Sequence, residues 1–174
     1  MFKRWKPFKH PTFGDIEIGG WVKMSTRLPP PFLLQELVHR NASAVLFAAE
    51  QTPEIKLELF ENKKISKNLY RIRLRLTNTK ALPSISHHFV TKKVMPQDIL
   101  TITGASIQVL AGGRLDDRFL DQTSYKKHKP EVQFVQVPGH GSIEYEFLIS
   151  GKGDLEVNYT SLKAGKFKKT VSLN

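Results

Sequence analysis

The chain contains no cysteine and no long apolar run, and each absence excludes a type of structure. Without thiols it forms neither disulfides nor thiolate metal sites. No stretch approaches the roughly 20 apolar residues that a membrane helix needs, so we expect no membrane span. The basic start continues into Trp5-Lys6-Pro7-Phe8 where a signal peptide would have an apolar core, so we expect no secretory signal within these residues. These features alone leave the compartment open.

Acidic residues are scarce relative to basic ones, with 16 Asp and Glu against 27 Lys and Arg, for a net charge of +11. Such an excess favours contact with nucleic acid, an anionic surface or an acidic partner. The basic residues are spread along the chain and do not form one block. Dispersal of this kind is typical of a solvated surface, and it disfavours nucleic acid as the partner.

Residues 69–78 alternate between apolar and charged side chains without a break, which predicts a half-buried strand. One face carries Tyr70, Ile72, Leu74 and Leu76, and the other carries Arg71, Arg73 and Arg75. The arginine face has two interpretations: contacts to phosphates or other anions, or cross-strand ion pairs with a neighbouring strand. We favour ion pairs, because the outer face of the preceding strand carries Glu54, Lys56 and Glu58.

The chain from residue 54 onward has the short period-two pattern of a mainly β domain. We predict strands over 54–59, 69–77, 86–94, 99–110 with a break near Gly104, 131–137, 142–149, 155–160 and 167–173. Turns are predicted at 62–68 and at Gly112-Gly113, and a long polar loop over 114–129. Strands at such spacing without interleaved helices predict an immunoglobulin-like antiparallel β-sandwich.

Residues 1–31 hold five of the ten prolines and a cluster of glycines, which predicts an extended, mostly irregular arm. Short strands are predicted within it near 16–18 and 21–24. Residues 32–50 have apolar side chains at intervals of three and four, and Pro31 suits a first helical position, so this segment is predicted to be a helix. We therefore divide the chain into an N-terminal arm and linking helix at 1–52 and a β-sandwich domain at 53–174.

The arm carries more large apolar side chains than a free segment would. They need a surface to pack on, either this domain's own or that of a second domain. The candidate interdomain contacts are Trp5, Phe8, Phe13, Ile16, Ile18 and Trp21.

No catalytic residue, cofactor site or metal site is predicted. His128-Lys129-Pro130-Glu131 has the spacing of two zinc ligands with His140 following, but the histidine lies in a charged loop and the glutamate follows a proline. The pair Asp116-Asp117 with Asp121 offers oxygen ligands for calcium but lacks the alternating spacing of a calcium loop. We therefore predict that the chain is not itself an enzyme.

Three segments form a recognisable set: HPTFGDIEIGGW at 10–21, TPEI at 52–55 and NTKALPS at 78–84. They resemble segments of bacterial zinc carboxypeptidases of the metallocarboxypeptidase family, with Lys80 where that family has glycine. The resemblance covers nearly the whole chain. It implies the C-terminal accessory region of a secreted or periplasmic protein, a β-sandwich that follows the catalytic domain. It brings no catalytic residue with it, because the family's zinc ligands lie in that other domain.

Two functional hypotheses follow. The first is a noncatalytic accessory module that stabilises, orients or targets a zinc carboxypeptidase-like domain, of the same parent chain or a separate one. The second is an autonomous basic protein that binds nucleic acid or acidic polysaccharide. Its candidate polyanion contacts are Arg71, Arg73, Arg75, Lys166, Lys168 and Lys169. Salt separates the two hypotheses, because polyanion binding weakens steeply as salt rises.

Overall fold

The computed structural model describes residues 1–24 and 27–173, which fall into two compact units, Met1–Ala49 and Glu50–Asn174. The first unit contains a β-hairpin and a long helix. Its elements are β1 (Phe2–His10), β2 (Gly14–Trp21) and α1 (Pro31–Glu50).

The second unit contains the remaining strands and one short helix. Its elements are β3 (Ile55–Ser66), β4 (Leu69–Asn78), α2 (His87–Lys92), β5 (Asp98–Thr103), β6 (Ile107–Asp117), β7 (Gln122–Tyr125), β8 (Val132–Val135), β9 (Ser142–Gly151), β10 (Gly153–Ser161) and β11 (Gly165–Leu173). A five-stranded sheet has the order β3-β4-β9-β6-β7, and a four-stranded sheet has the order β11-β10-β5-β8. The strand pairs in both sheets are antiparallel.

The inner faces of the two sheets share one hydrophobic core. The five-stranded sheet contributes Tyr70, Ile72, Leu74 and Leu76 from β4 and Ile143, Tyr145, Phe147 and Ile149 from β9. The four-stranded sheet contributes Leu100, Ile102, Val135, Leu155, Val157, Tyr159, Val171 and Leu173. Two antiparallel sheets around one core make a β-sandwich, so the predicted mainly β class is confirmed. The immunoglobulin-type assignment stays a prediction.

The prediction that the arm is mostly irregular is wrong, because residues 2–21 form a regular hairpin. The short strand predicted near 16–18 lies within β2, whereas the one predicted near 21–24 is wrong beyond Trp21. Both strands of a two-stranded sheet have a free edge, so β1 accommodates Pro7 opposite Glu17. Gly14 opens β2 with a φ of 75°, a left-handed conformation that glycine adopts without strain. Gly19 is required by close approach, because a Cβ there would lie 2.5 Å from the Cα of Trp5. The prediction was wrong because it used only the numbers of prolines and glycines, and not their positions in the hairpin.

The predicted helix is confirmed as α1, with Pro31 as its first residue. The strand predicted over 86–94 is wrong, because these residues contain the short helix α2. The Ser86 side chain accepts a hydrogen bond from the backbone N–H of Phe89 and caps this helix, and Lys93 ends it in a left-handed conformation. Serine followed by a short apolar run suits a capped helix as well as a strand.

Three boundaries within the sandwich also differ from the prediction. Gly112 and Gly113 lie inside β6 and form no turn, and their lack of Cβ admits the backbone oxygens of Pro130 and Ser124. The predicted polar loop over 114–129 holds the end of β6 and all of β7. The predicted turn over 62–68 is mostly strand, because β3 continues to Ser66.

Candidate functional site

The three arginines of β4 lie side by side on the outer face of the five-stranded sheet, between acidic residues of both neighbouring strands. The β-ladder places Arg73 opposite Glu61 of β3 and Glu146 of β9, and Arg75 opposite Glu58 and Glu144. Opposite charges in directly facing positions attract across a sheet. The arginine face therefore forms cross-strand ion pairs, as the favoured interpretation predicted.

Arg73 is the centre of this arrangement and its side chain is only 5% exposed. Its Nε donates to Glu146 Oε2 at 2.6 Å, its Nη1 lies 3.3 Å from Glu61 Oε2, and its Nη2 donates to Asp121. Burial alone would lower the pKa of Arg73, but the hydrogen bonds to Asp121 and Glu146 outweigh burial and raise it. The same contact with Arg73 lowers the pKa of Asp121. Each of the three guanidinium nitrogens of Arg73 therefore lies against a carboxylate, and burial leaves the group almost inaccessible to a phosphate.

The neighbouring arginines are paired as well. Arg71 Nε donates to Glu61 Oε1 at 2.8 Å, and Arg75 Nε donates to Glu144 Oε1 at 2.8 Å. The expected partner strand is right, and the expected Glu58 faces Arg75, but the ion pairs from β3 are made by Glu61, which follows a β-bulge between Leu59 and Glu61 and lies opposite Arg73. Period-two counting from Glu54 and Glu58 misses such a bulge. The partners from β9 were detectable in the sequence as glutamates at 144 and 146.

The lysine candidates do not share one face. Lys166 and Lys168 are exposed on β11, whereas Lys169 is half-buried on the side of β11 that carries the core residue Val171. Lys168 Nζ pairs with Glu156 of β10 at 2.5 Å. The proposed polyanion contacts are thus divided between two sheets and two faces, and four of the six are in ion pairs.

The interdomain candidates all lie in the hairpin, and its exposed apolar side chains, on β1, β2 and the turn between them, are here called the hairpin surface. Trp5 is 60% exposed and Trp21 is 68% exposed, and the Trp21 ring packs edge-on against Phe2 with centroids 5.5 Å apart. Phe8 lies opposite Ile16, which is half-buried. The exposed members of the predicted set are Trp5, Phe8, Phe13, Ile18 and Trp21.

Helix α1 has no buried residue along its 20 residues. At about 1.5 Å per residue it extends roughly 30 Å. Its exposed apolar side chains are Phe32, Leu33, Leu34, Leu37, Val38, Val45, Leu46 and Phe47. Sequence periodicity predicted this helix, but it did not predict that its apolar side chains would be exposed.

The aspartates considered for calcium have other roles. Asp117 Oδ1 accepts hydrogen bonds from the backbone N–H groups of Phe119 and Leu120, Asp116 accepts one from Ser124, and Asp121 pairs with Arg73. Within residues 1–24 and 27–173, no three His, Asp or Glu side chains are placed to hold a metal ion together. In the same ranges, no helix combines the length and the apolar character that crossing a membrane requires.

Comparison with known proteins yields one match. The family model described as "Domain of unknown function (DUF8731)" matches residues 54–172, which is more than half of the chain and corresponds to the sandwich. No curated protein and no solved structure matches the sequence or the fold.

Proposed function

The chain belongs to the DUF8731 family of domains of unknown function, and we propose that it is a noncatalytic accessory module of a zinc carboxypeptidase-like protein. In this proposal the unit Met1–Ala49 docks on the peptidase-like domain, and the sandwich of Glu50–Asn174 stabilises, orients or targets that domain. The resemblance of residues 10–21, 52–55 and 78–84 to the carboxypeptidase family supplies the identity of the partner.

The observation that carries the proposal is the apolar exposure of the first unit. Its hairpin surface exposes two tryptophans and its helix exposes eight large apolar side chains, while none of its described residues is buried. Exposed apolar patches of this extent mark interaction surfaces in soluble proteins. Rigid aromatic side chains such as Trp5 and Trp21 are the type that dominates binding energy at interfaces.

The polyanion hypothesis stays a second proposal with weaker support. Arg73 is buried among carboxylates, and Arg71 and Arg75 are each paired. Binding a polyanion there would require those pairs to be exchanged for phosphate or carboxylate contacts, with little net gain. The positive charge available for contact lies in dispersed lysines, so any polyanion binding is expected to be weak and salt-sensitive.

The docking proposal is tested by tryptophan fluorescence. The sequence has two tryptophans, both in the hairpin, so their emission reports on this unit alone. We expect titration with a separately expressed zinc carboxypeptidase domain from the same genome to shift the emission to shorter wavelength as the indoles leave water. The shift should persist at high salt, because apolar burial is not screened.

Matched variants locate the interface. Trp21→Ala should weaken association at least about tenfold, the loss typical of an interface hot spot. Phe119→Ala removes an aromatic that is 89% exposed in the sandwich and should leave association unchanged. An emission that does not move at either salt, together with salt-sensitive retention on a polyanion column, would overturn the docking proposal in favour of the second one.

A further inference from the structure

A crevice of about 420 Å³ opens beside the end strands of both sheets of the sandwich. Its walls come from β6, β9, β7 and β8, of which β7 and β8 are the last strands of their sheets. The volume falls within the roughly 300–1,000 Å³ of small-molecule sites. The lining side chains that matter are Arg114, Lys126, Gln133, Phe134, Gln136 and Tyr145.

The crevice has two cations and no carboxylate in its lining. The only ion pair of Arg114 in the described part of the chain joins its Nε to Asp116 Oδ1 at a long 3.5 Å. Lys126 Nζ donates to the Val132 backbone oxygen at 2.8 Å and lies 4.9 Å from the centre of the Phe134 ring. No acidic side chain among the described residues pairs with Lys126. A carboxylate entering the crevice therefore meets two cationic donors.

The crevice also offers neutral acceptors. Gln133 Nε2 donates to the Pro130 carbonyl at 2.8 Å, and Gln136 Nε2 donates to the Ile85 carbonyl at 3.0 Å. Because a carbonyl only accepts, each amide must turn its nitrogen to that partner. Each amide oxygen then keeps its lone pairs, and no donor from residues 1–24 or 27–173 is hydrogen-bonded to it. Hydroxyl groups of a ligand would satisfy these oxygens.

The remaining lining restricts the ligand further. Phe134 is 57% exposed and contributes an apolar ring to the lining. The Tyr145 hydroxyl donates to the Phe134 backbone oxygen at 3.3 Å, and burial raises the pKa of Tyr145 to about 12, so this wall is uncharged. A ligand ammonium would be repelled by Arg114 and Lys126, which disfavours amino acids.

We propose that this crevice binds a sugar acid, with its carboxylate on Arg114 and Lys126, its hydroxyls on the amide oxygens of Gln133 and Gln136, and its ring against Phe134. The proposal concerns the sandwich alone and does not depend on docking by Met1–Ala49. It differs from polyanion binding by the arginine face, because a single sugar ring supplies every group that the crevice can engage.

The test is an NMR titration of the ¹⁵N-labelled full chain with sodium glucuronate, glucose and sodium acetate. We expect saturable shifts of the Gln133 and Gln136 side-chain amide signals with glucuronate. Glucose lacks the carboxylate and acetate lacks the hydroxyls, so each should bind at least about tenfold more weakly, the loss expected when a charge-assisted contact or a set of hydrogen bonds is missing.

Matched variants assign the contacts. Arg114→Gln should weaken glucuronate binding about tenfold. Arg118→Gln is the control, because the Arg118 guanidinium lies over the rings of Phe60 and Phe119 and outside the crevice lining. Phe134→Ala should weaken glucuronate more than acetate. Unshifted amide signals, equal affinity for acetate and glucuronate, or equal losses in Arg114→Gln and Arg118→Gln would each overturn the proposal.

Discussion

Both units of this chain carry large apolar side chains, but the two units differ in whether these side chains are buried. In Glu50–Asn174 the apolar faces of two sheets close on each other, and side chains such as Phe147 and Leu74 are completely buried. In Met1–Ala49 the apolar side chains of the hairpin and helix stay in contact with solvent, and no described residue is buried. The same residue types thus form a core in one unit and an exposed surface in the other.

This difference indicates where each unit obtains its stability. A sandwich with a shared core accounts for its own folding through apolar burial. An isolated two-stranded hairpin is at best marginal in water, and a helix owes most of its stability to packing of an apolar face. We therefore expect the first unit to gain stability from a surface outside itself, and the sandwich to be stable without one.

The largest expected effect comes from a phenylalanine pair, one in each unit. Phe147→Ala empties a site in the core and should lower the free energy of unfolding of the sandwich by about 3–5 kcal/mol. Phe47→Ala, in a residue that is 64% exposed on α1, should change stability by less than about 0.5 kcal/mol. Urea unfolding followed by tyrosine signals measures this, because all four tyrosines lie in the sandwich.

The opposite ranking would break the comparison. If Phe47→Ala destabilised the chain as much as Phe147→Ala, α1 would be part of a core in solution. Leu162→Ala, at an exposed position after β10, serves as the surface control within the sandwich itself.

A second pair sharpens the comparison on the outer face of the sandwich. Arg73→Ala leaves Glu146 buried without its cation and should cost about 3 kcal/mol, the lower end for a broken buried pair because Asp121 is open to solvent. Arg75→Ala removes a partly exposed pair and should cost less than about 1 kcal/mol. Equal losses in urea unfolding would contradict the assignment of Arg73 as a buried anchor.

Sequence patterning predicted the parts of the sandwich where alternation is strict. The inner faces of β4 and β9 follow it residue by residue, and both are buried as predicted. The failures fall where backbone proximity overrides composition. Gly112 and Gly113 were predicted as a turn because glycine favours turns, but here glycine admits neighbouring backbone inside a strand. Nothing local in the sequence distinguishes these two uses.

The candidate surfaces were also predictable only in part. Five of the six hairpin residues that the sequence singled out are exposed, but whether they contact a partner stays a prediction. The arginine face contains ion pairs, as expected. The role of Asp121 was missed, because it reaches Arg73 from the turn after β6, 48 residues away along the chain. The crevice is lined from both sheets, and only the packing of one sheet on the other brings Arg114 of β6 and Gln133 of β8 to the same opening.

The smallest predicted effect uses pH to separate the two units, because every tyrosine belongs to the sandwich. Burial raises the pKa of Tyr145 from 10.0 to about 12, so folding favours the protonated phenol. Its contribution is fully present below pH 10 and is lost as pH rises towards 12, by up to roughly 2–3 kcal/mol. Urea unfolding at about pH 9 and about pH 11.5 should therefore show a smaller alkaline loss for Tyr145→Phe than for the unchanged chain. Identical losses would mean that Tyr145 ionises without cost to the folded state. The core around β9 would then admit water, and the sandwich would resemble the first unit in the solvent exposure of its apolar side chains.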